Sequence, residues 1–347
     1  YFYYILIYIN KGSLFMFKCI FIKIKSLFLS TLICVFIICL LVFSKSNLSA
    51  AKSGLSLWAN SVLPSLLPFF IATELLSYTN VVPLCGKLLN KFMRPVFNVP
   101  GEGAFALLMG IISGYPVGAK IVANLKENKL CTEIEAERLI AFTNNSGPLF
   151  IIGTVGVGMF CSSHIGFILF LTHILSCLTV GFLFRWWKVS YERKFRSSEY
   201  SINTHTLSFC DLGEVLSKSI ITSINTILMI GGFVVLFSII ISILQSCNFL
   251  VIISNFFSLL NIPTNLTMGL LTGFLEITNG ISYICSLSFS NINLKIVFCA
   301  FVLGFGGFSV LLQVLSITSK AKISIKSYFF GKLLQAFFAT LYTYLII

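Results

Sequence analysis

The sequence predicts an all-α polytopic integral membrane protein made of two inverted repeats, each a re-entrant hairpin followed by a broken helix. Three observations predict it. First, 57% of the 347 residues are hydrophobic and 10% charged, and mean hydropathy is +0.97; a soluble domain carries about 25% charged residues. Second, apolar runs interrupted by glycine and polar residues recur at one fixed spacing in the two halves. Third, the basic residues gather between particular runs. Ten per cent charge cannot cover a soluble globule of 38.5 kDa, so the composition excludes a soluble enzyme, a disordered chain and a peripheral protein with one anchor. Lipid is the solvent for most of this surface. The 24 Lys+Arg against 11 Asp+Glu would suggest nucleic acid in a soluble protein; here they read as basic cytoplasmic loops.

Lys18, Lys23 and Lys25 precede the apolar run Leu27–Phe43, which reads as an uncleaved, signal-anchor-like helix with its N-terminus in the cytoplasm. The chain starts at Tyr1 and its first methionine is Met16, so residues 1–15 read as an upstream artefact or a misassigned start. Leu57–Tyr78 is apolar but carries Pro64, Pro68 and Glu74, and a loop with Lys87, Lys91 and Arg94 follows. Ala104–Leu125 contains Gly110, Ser113, Gly114, Pro116, Gly118 and Lys120, which do not suit a lipid-facing helix. After a charged segment, Leu139–Phe160 is broken by Asn144-Asn145-Ser146-Gly147-Pro148. Gly166–Phe184 is a plain span, and Arg185 to Arg196 is basic.

The second half repeats the plan. Ile220–Leu244 is a span, and Phe249–Leu260 is short, interfacial or packed. Leu266–Leu287 is interrupted by Gly269, Gly273, Glu276, Asn279 and Gly280. Ile296–Ser316 holds Gly304, Gly306 and Gly307, and Tyr328–Ile347 is a final span. A shift of 159 residues lays Met109-Gly110 on Met268-Gly269, Gly114 on Gly273, Ala141-Phe142 on Ala300-Phe301 and Gly147 on Gly306. Corresponding interrupted segments in two halves are a sequence pointer to a transporter's binding site. If Ala104–Leu125 crossed fully, the basic 185–196 loop would lie outside, against the positive-inside bias. If it dips and returns, 84–103, 126–138, 185–218 and 317–327 are all cytoplasmic, and 44–57 and 246–264 are outside. The two repeats are then inverted.

The organisation expected is therefore residues 1–52 as an N-terminal segment with one helix, 53–184 as the first repeat, 185–213 as a basic loop, 214–327 as the second repeat and 328–347 as a C-terminal helix. Backbone broken at membrane depth survives only when buried in protein or lining a wet cavity, so the four breaks predict one central polar site. Glu276 is the sharpest candidate, because an ionisable group at membrane depth is costly; its bland reading is a carboxylate paired for structure. Thr278 and Asn279 are ligand candidates beside it, or turn residues. Lys120, with Ser113 upstream, could face a substrate, pair with Glu276 or snorkel to the interface. Asn144, Asn145 and Ser146 could touch a ligand or act as polar glue, with Pro148 restarting the helix. Eleven scattered cysteines without a CxxC pair read as free thiols, and His164 and His173 fall on opposite helix faces. No metal site, cofactor or catalytic triad is expected, hence no enzyme.

The stretches Trp58-Ala59-Asn60-Ser61-Val62-Leu63-Pro64-Ser65-Leu66-Leu67-Pro68-Phe69-Phe70, Gly110 to Lys120, Phe142 to Gly156, and Gly273 with Glu276-Ile277-Thr278-Asn279-Gly280 together resemble the YlbJ family of sporulation integral membrane proteins of endospore formers, over roughly residues 55–345. Each repeat is similar to the gate, or nucleoside-recognition, domain, which also resembles parts of concentrative nucleoside transporters, spore maturation membrane proteins and ferrous iron transporters. The resemblance implies a role in spore cortex formation and heat resistance, at a mother-cell or outer forespore membrane, and supplies no substrate. The expected function is a transporter or channel for a small polar solute; the alternative is a scaffold that organises other envelope proteins. Beyond lipid and solute, a second copy or other sporulation membrane proteins are the candidate partners, and no nucleic acid is expected.

Overall fold

In a computed structural model the chain is described over residues 27–189, 212–258, 263–288 and 291–347. Every regular element in them is helical. Lys18, Lys23 and Lys25, the segment 1–15 and the core of the basic 185–213 loop lie outside the described residues. The described residues fall into two compact units, one up to Ser49 and one from Ala50 on. In the first, α1 (Leu27–Val42) is an apolar helix with most of its large side chains exposed. The Asn47 carboxamide turns back to donate to the Cys39 carbonyl at 3.1 Å.

Ser44–Leu57 (α2) is helical, where the sequence suggests a loop. Its Ser, Asn and Gly content, the Ser53-Gly54 pair included, imitates a loop, but no proline interrupts it. A widened π-type turn, Trp58–Val62, joins it to α3 (Leu63–Ser77), so the helical run extends from 44 to 77. Pro64 follows that turn directly; a proline donates no N–H and crowds the preceding turn. The supposed loop with Lys87, Lys91 and Arg94 is also a helix, α4 (Val81–Phe97). Leu84, Leu88 and Phe92 are exposed along one face while Gly86, Met93 and Phe97 are buried on another. The four-residue spacing of those apolar positions is the helical signal.

Two short helices follow, α5 (Gly103–Ser113) and α6 (Val117–Glu127), of 11 residues each. At about 1.5 Å per residue each is about 16 Å long, half of the roughly 30 Å hydrocarbon layer. The pair therefore dips in and returns, through a turn in which Gly114 takes φ of 86° and the Val117 amide bonds the Gly114 carbonyl at 3.0 Å. Then α7 (Glu133–Thr143) ends at a break, and the chain resumes as a π-helix, Leu149–Met159. Next, α8 (Ser163–Phe184) is the plain span expected, and α9 (Leu212–Ser246) runs for 35 residues. After the short α10 (Phe249–Ser258) comes the second hairpin, α11 (Thr264–Leu275) and α12 (Ile277–Ser286). The second broken helix is α13 (Ile292–Phe305) with α14 (Gly307–Lys320), and α15 (Ile325–Ile346) closes the chain. Adding 159 to the starts of α5, α6, α7 and the π-helix gives 262, 276, 292 and 308. The matching helices start at 264, 277, 292 and 307. The repeat read from the sequence is a repeat of the fold.

Both ends of the first hairpin lie on one side. Arg94 pairs with Glu135, and the Arg138 guanidinium donates to the carbonyls of Asn98 (2.9 Å) and Trp187 (2.8 Å). Asn98 donates to the Arg185 carbonyl at 3.3 Å, and Glu137 accepts from Lys188 and from the Trp187 indole, each at 2.7 Å. Glu135, Glu137 and Arg138 are almost fully buried, as charged groups can be only when paired and hydrogen-bonded. This cluster fixes 94–98, 135–138 and 185–188 at one end, the arrangement that the positive-inside argument required.

Candidate functional site

The two hairpin tips and the two helix breaks meet at one cavity of about 50 Å³. Tyr115 comes from the first tip, and Glu276, Ile277 and Thr278 from the second. Ser146, Gly147 and Phe150 come from the first break, and Ser309, Val310 and Gln313 from α14 just after the second. Val62 and Leu66 of the α2–α3 run and Ile230 and Val234 of α9 complete the wall.

Glu276 is the whole turn of the second hairpin: α11 ends before it and α12 starts after it. Its carboxylate caps α12, with Oε2 accepting from the Asn279 amide at 2.7 Å and from Asn279 Nδ2 at 2.9 Å. A negative charge at a helix N-terminus is favoured by the peptide dipoles. Asn279 Nδ2 also donates to Ser238 Oγ of α9 at 2.9 Å, tying the tip to the long helix. Glu276 is 1% exposed, and among the described residues no basic side chain forms an ion pair with it.

Three oxygens of the wall lack hydrogen bonds. Ser309 Oγ and Gln313 Oε1 have no partner, and Ser146 Oγ faces the Tyr115 hydroxyl without hydrogen-bond geometry. The Tyr115 hydroxyl donates instead to the Leu303 carbonyl at 3.2 Å. Buried polar atoms in native folds are nearly always paired, so oxygens left open around one cavity mark a place for a polar guest.

Asn144 and Asn145 stand behind this wall. Asn144 accepts from the Ala119 amide at 3.4 Å and donates to the Tyr328 hydroxyl at 3.3 Å. Asn145 donates to the Phe142 carbonyl at 2.8 Å and to Cys177 Sγ at 3.2 Å, and accepts from Gln335 Nε2 at 2.9 Å. Gln335 Oε1 in turn accepts from the buried Lys332 ammonium at 2.6 Å, and that ammonium lies over the rings of Tyr115 (5.1 Å) and Tyr328 (5.7 Å). His173 Nε2 accepts from the Ser146 amide at 3.3 Å. Thus α8 bonds the broken backbone directly, and α15 bonds the two asparagine side chains.

Ser113 and Lys120 lie apart from the central cavity. Ser113 Oγ bonds Thr73 Oγ1 of α3 at 2.6 Å, and Lys120 pairs at 2.7 Å with Glu74, not with Glu276. That pair lines a separate cavity of about 20 Å³. The glycines serve close approach. Gly273 and Gly280 let the two arms of the second hairpin touch, Gly269 faces Ile284, and Gly304 lies against Ala336 of α15. Gly307 faces the Gly273 carbonyl, and Gly306 takes φ of 83° beside Tyr115.

Sequence reasoning missed Tyr115, Ser309, Gln313, Lys332, Gln335 and His173. Lys332 and His173 carried a signal, as ionisable groups inside apolar runs. Among the described residues no cluster of three His, Cys, Asp or Glu comes together that could hold a metal ion.

The fold defines a multi-pass α-helical membrane protein, with five helical runs long and apolar enough to cross a bilayer. A family model described as "Gate: Nucleoside recognition" matches residues 59–180, the segment that holds the first hairpin and break. The sporulation integral membrane protein YlbJ of Bacillus subtilis (strain 168) is 39% identical over 322 residues, covering 87% of this chain and 78% of that protein. The chain belongs to the YlbJ family and, with it, to the multi-pass proteins of the cell membrane. Among solved structures, a CNTnw variant in an outward-facing state is similar over 83% of this chain and 76% of its own, at 14% identity and a TM-score of 0.44.

Proposed function

We propose that this protein is a sporulation membrane transporter that carries a small polar solute through the cavity between its two hairpin tips, and that it serves spore cortex formation without catalysing a reaction. One observation carries the reading: a buried carboxylate and three unpartnered oxygens, from both halves of the repeat, surround one cavity. The binding region of an inverted-repeat transporter is expected at broken segments near the membrane midplane. The name of the Bacillus subtilis relative supports the sporulation setting, and the matched gate family supports recognition of a small solute. Against an enzyme, Glu74 is committed to Lys120, and among the described residues no second carboxylate lines the cavity with Glu276. The test is complementation of a Bacillus subtilis strain lacking its YlbJ. The wild-type chain restores heat-resistant spores, and Glu276→Gln at equal protein level does not. Full rescue by Glu276→Gln sinks the proposal.

A further inference from the structure

We infer that the central cavity binds a small protonated amine, ammonium itself or a short primary amine, with Glu276 as its counter-charge. This rests on the reading of that cavity as the transport site and names the chemistry of what enters it.

The first argument is charge. A carboxylate taken out of water needs a partner. The α12 dipoles, Asn279 and the backbone and side chain of Thr278 meet part of that need. Among the described residues the cations within the fold are committed elsewhere: Lys120 to Glu74, and Lys332 to Gln335 behind the Tyr115 ring. Lys295 caps the opposite end of α12 through the Cys285 and Leu287 carbonyls.

The second is donor set. The polar groups left open are oxygens: the Ser146 and Ser309 hydroxyls and Gln313 Oε1, beside the Glu276 carboxylate. A carboxylate and an amide carbonyl only accept, so the guest must donate. A primary ammonium carries three N–H donors, enough for the Glu276 carboxylate and two of these oxygens. Hard metal cations prefer six or more oxygens, and here the rest of the wall is apolar, with Val62, Leu66, Ile230, Val234 and Val310.

The third is size. About 50 Å³ is room for about four water-sized bodies, enough for a molecule of a few heavy atoms.

The test is thermal unfolding of the purified full chain in detergent at fixed pH and ionic strength. Chloride salts of ammonium, methylammonium, sodium, potassium and tetramethylammonium are titrated. Ammonium and methylammonium raise Tm saturably, and the other three do not. Glu276→Gln abolishes the shift. Ser309→Ala, a milder change that keeps the fold testable if Glu276→Gln does not fold, weakens apparent affinity about tenfold or more, the worth of one hydrogen bond to a charged group. Equal shifts with all five salts, or an amine shift unchanged by Ser309→Ala, overturn the inference. If Glu276→Gln also fails to restore spores while no amine binds, the transport reading stands and the amine assignment falls.

Discussion

The carbonyl oxygen of Thr143 occupies the space that a Cβ on Gly110 would need, and the same oxygen blocks a Cβ on Gly118. Thr143 is the last residue of α7 before the first break. Both arms of the first hairpin are thus held against the point at which the broken helix opens.

Gly110→Ala therefore forces backbone apart. Overpacking of this kind costs about 1–3 kcal/mol and occasionally more. Gly232, in the middle of α9, has open space at its Cβ position, and Gly232→Ala is expected to be neutral or to stabilise by about 0.5–1 kcal/mol. Unfolding temperatures of the two purified variants check the contrast. Equal stability of Gly110→Ala and Gly232→Ala would show that the hairpin does not press on Thr143.

The Lys332–Gln335 pair predicts a coupled response. Gln335→Leu leaves a buried ammonium without its acceptor and removes the donor to Asn145, costing about 1–3 kcal/mol or more. Lys332→Met added to Gln335→Leu removes the stranded charge, and part of the loss is recovered. A double-mutant cycle on unfolding free energy reads the coupling, expected at about 0.5–3 kcal/mol. A cycle that sums to zero would mean the two side chains act independently.

Glu137 is buried with Trp187 and Lys188 as its partners. Trp187→Phe keeps an aromatic ring but removes the indole N–H, leaving a buried carboxylate oxygen short of a donor. The expected cost is about 1–3 kcal/mol, smaller than that of Lys188→Met, which leaves the fully buried Glu137 carboxylate without its counter-charge. The reverse order of the two losses would place the weight on the indole hydrogen bond.

The hairpins and breaks were legible because glycine, proline and asparagine inside apolar runs contradict a plain span, and the shift of 159 tied the two sets together. The meeting of Glu276 with the first break was legible as an expectation of one central site. Lys332 was not, because Tyr328–Ile347 was judged by its hydropathy as a whole, and one lysine hardly lowers it. Ser309 and Gln313 sit four apart on α14, an ordinary polar spacing, and only the fold brings them across from Glu276. Lys120 was over-read. Its nearness to Pro116 in sequence suggested the central site, but α6 carries it back to Glu74. The helices α2 and α4 read as loops in the sequence because their serines and lysines outweigh the apolar spacing.

The inverted arrangement is open to a labelling test through the native cysteines. Cys161 follows the π-helix and Cys247 follows α9, and both are exposed. In the inverted arrangement both lie on the outer side, opposite the cluster of Glu135, Glu137, Arg138 and Lys188. Cys131 lies near that cluster and is buried; burial pushes its thiol up to about 12, and Glu102 and Glu135 nearby add to the rise. The thiolate is the reactive form, so Cys131 stays inert at neutral pH even to a permeant reagent. Intact cells treated with a membrane-impermeant maleimide should show modification at Cys161 and Cys247 by peptide mass spectrometry. Cys131, Cys177 and Cys299 should remain free. If Cys161 reacts and Cys247 does not, α8 and α9 do not return the chain to the same face, and the two repeats are not inverted.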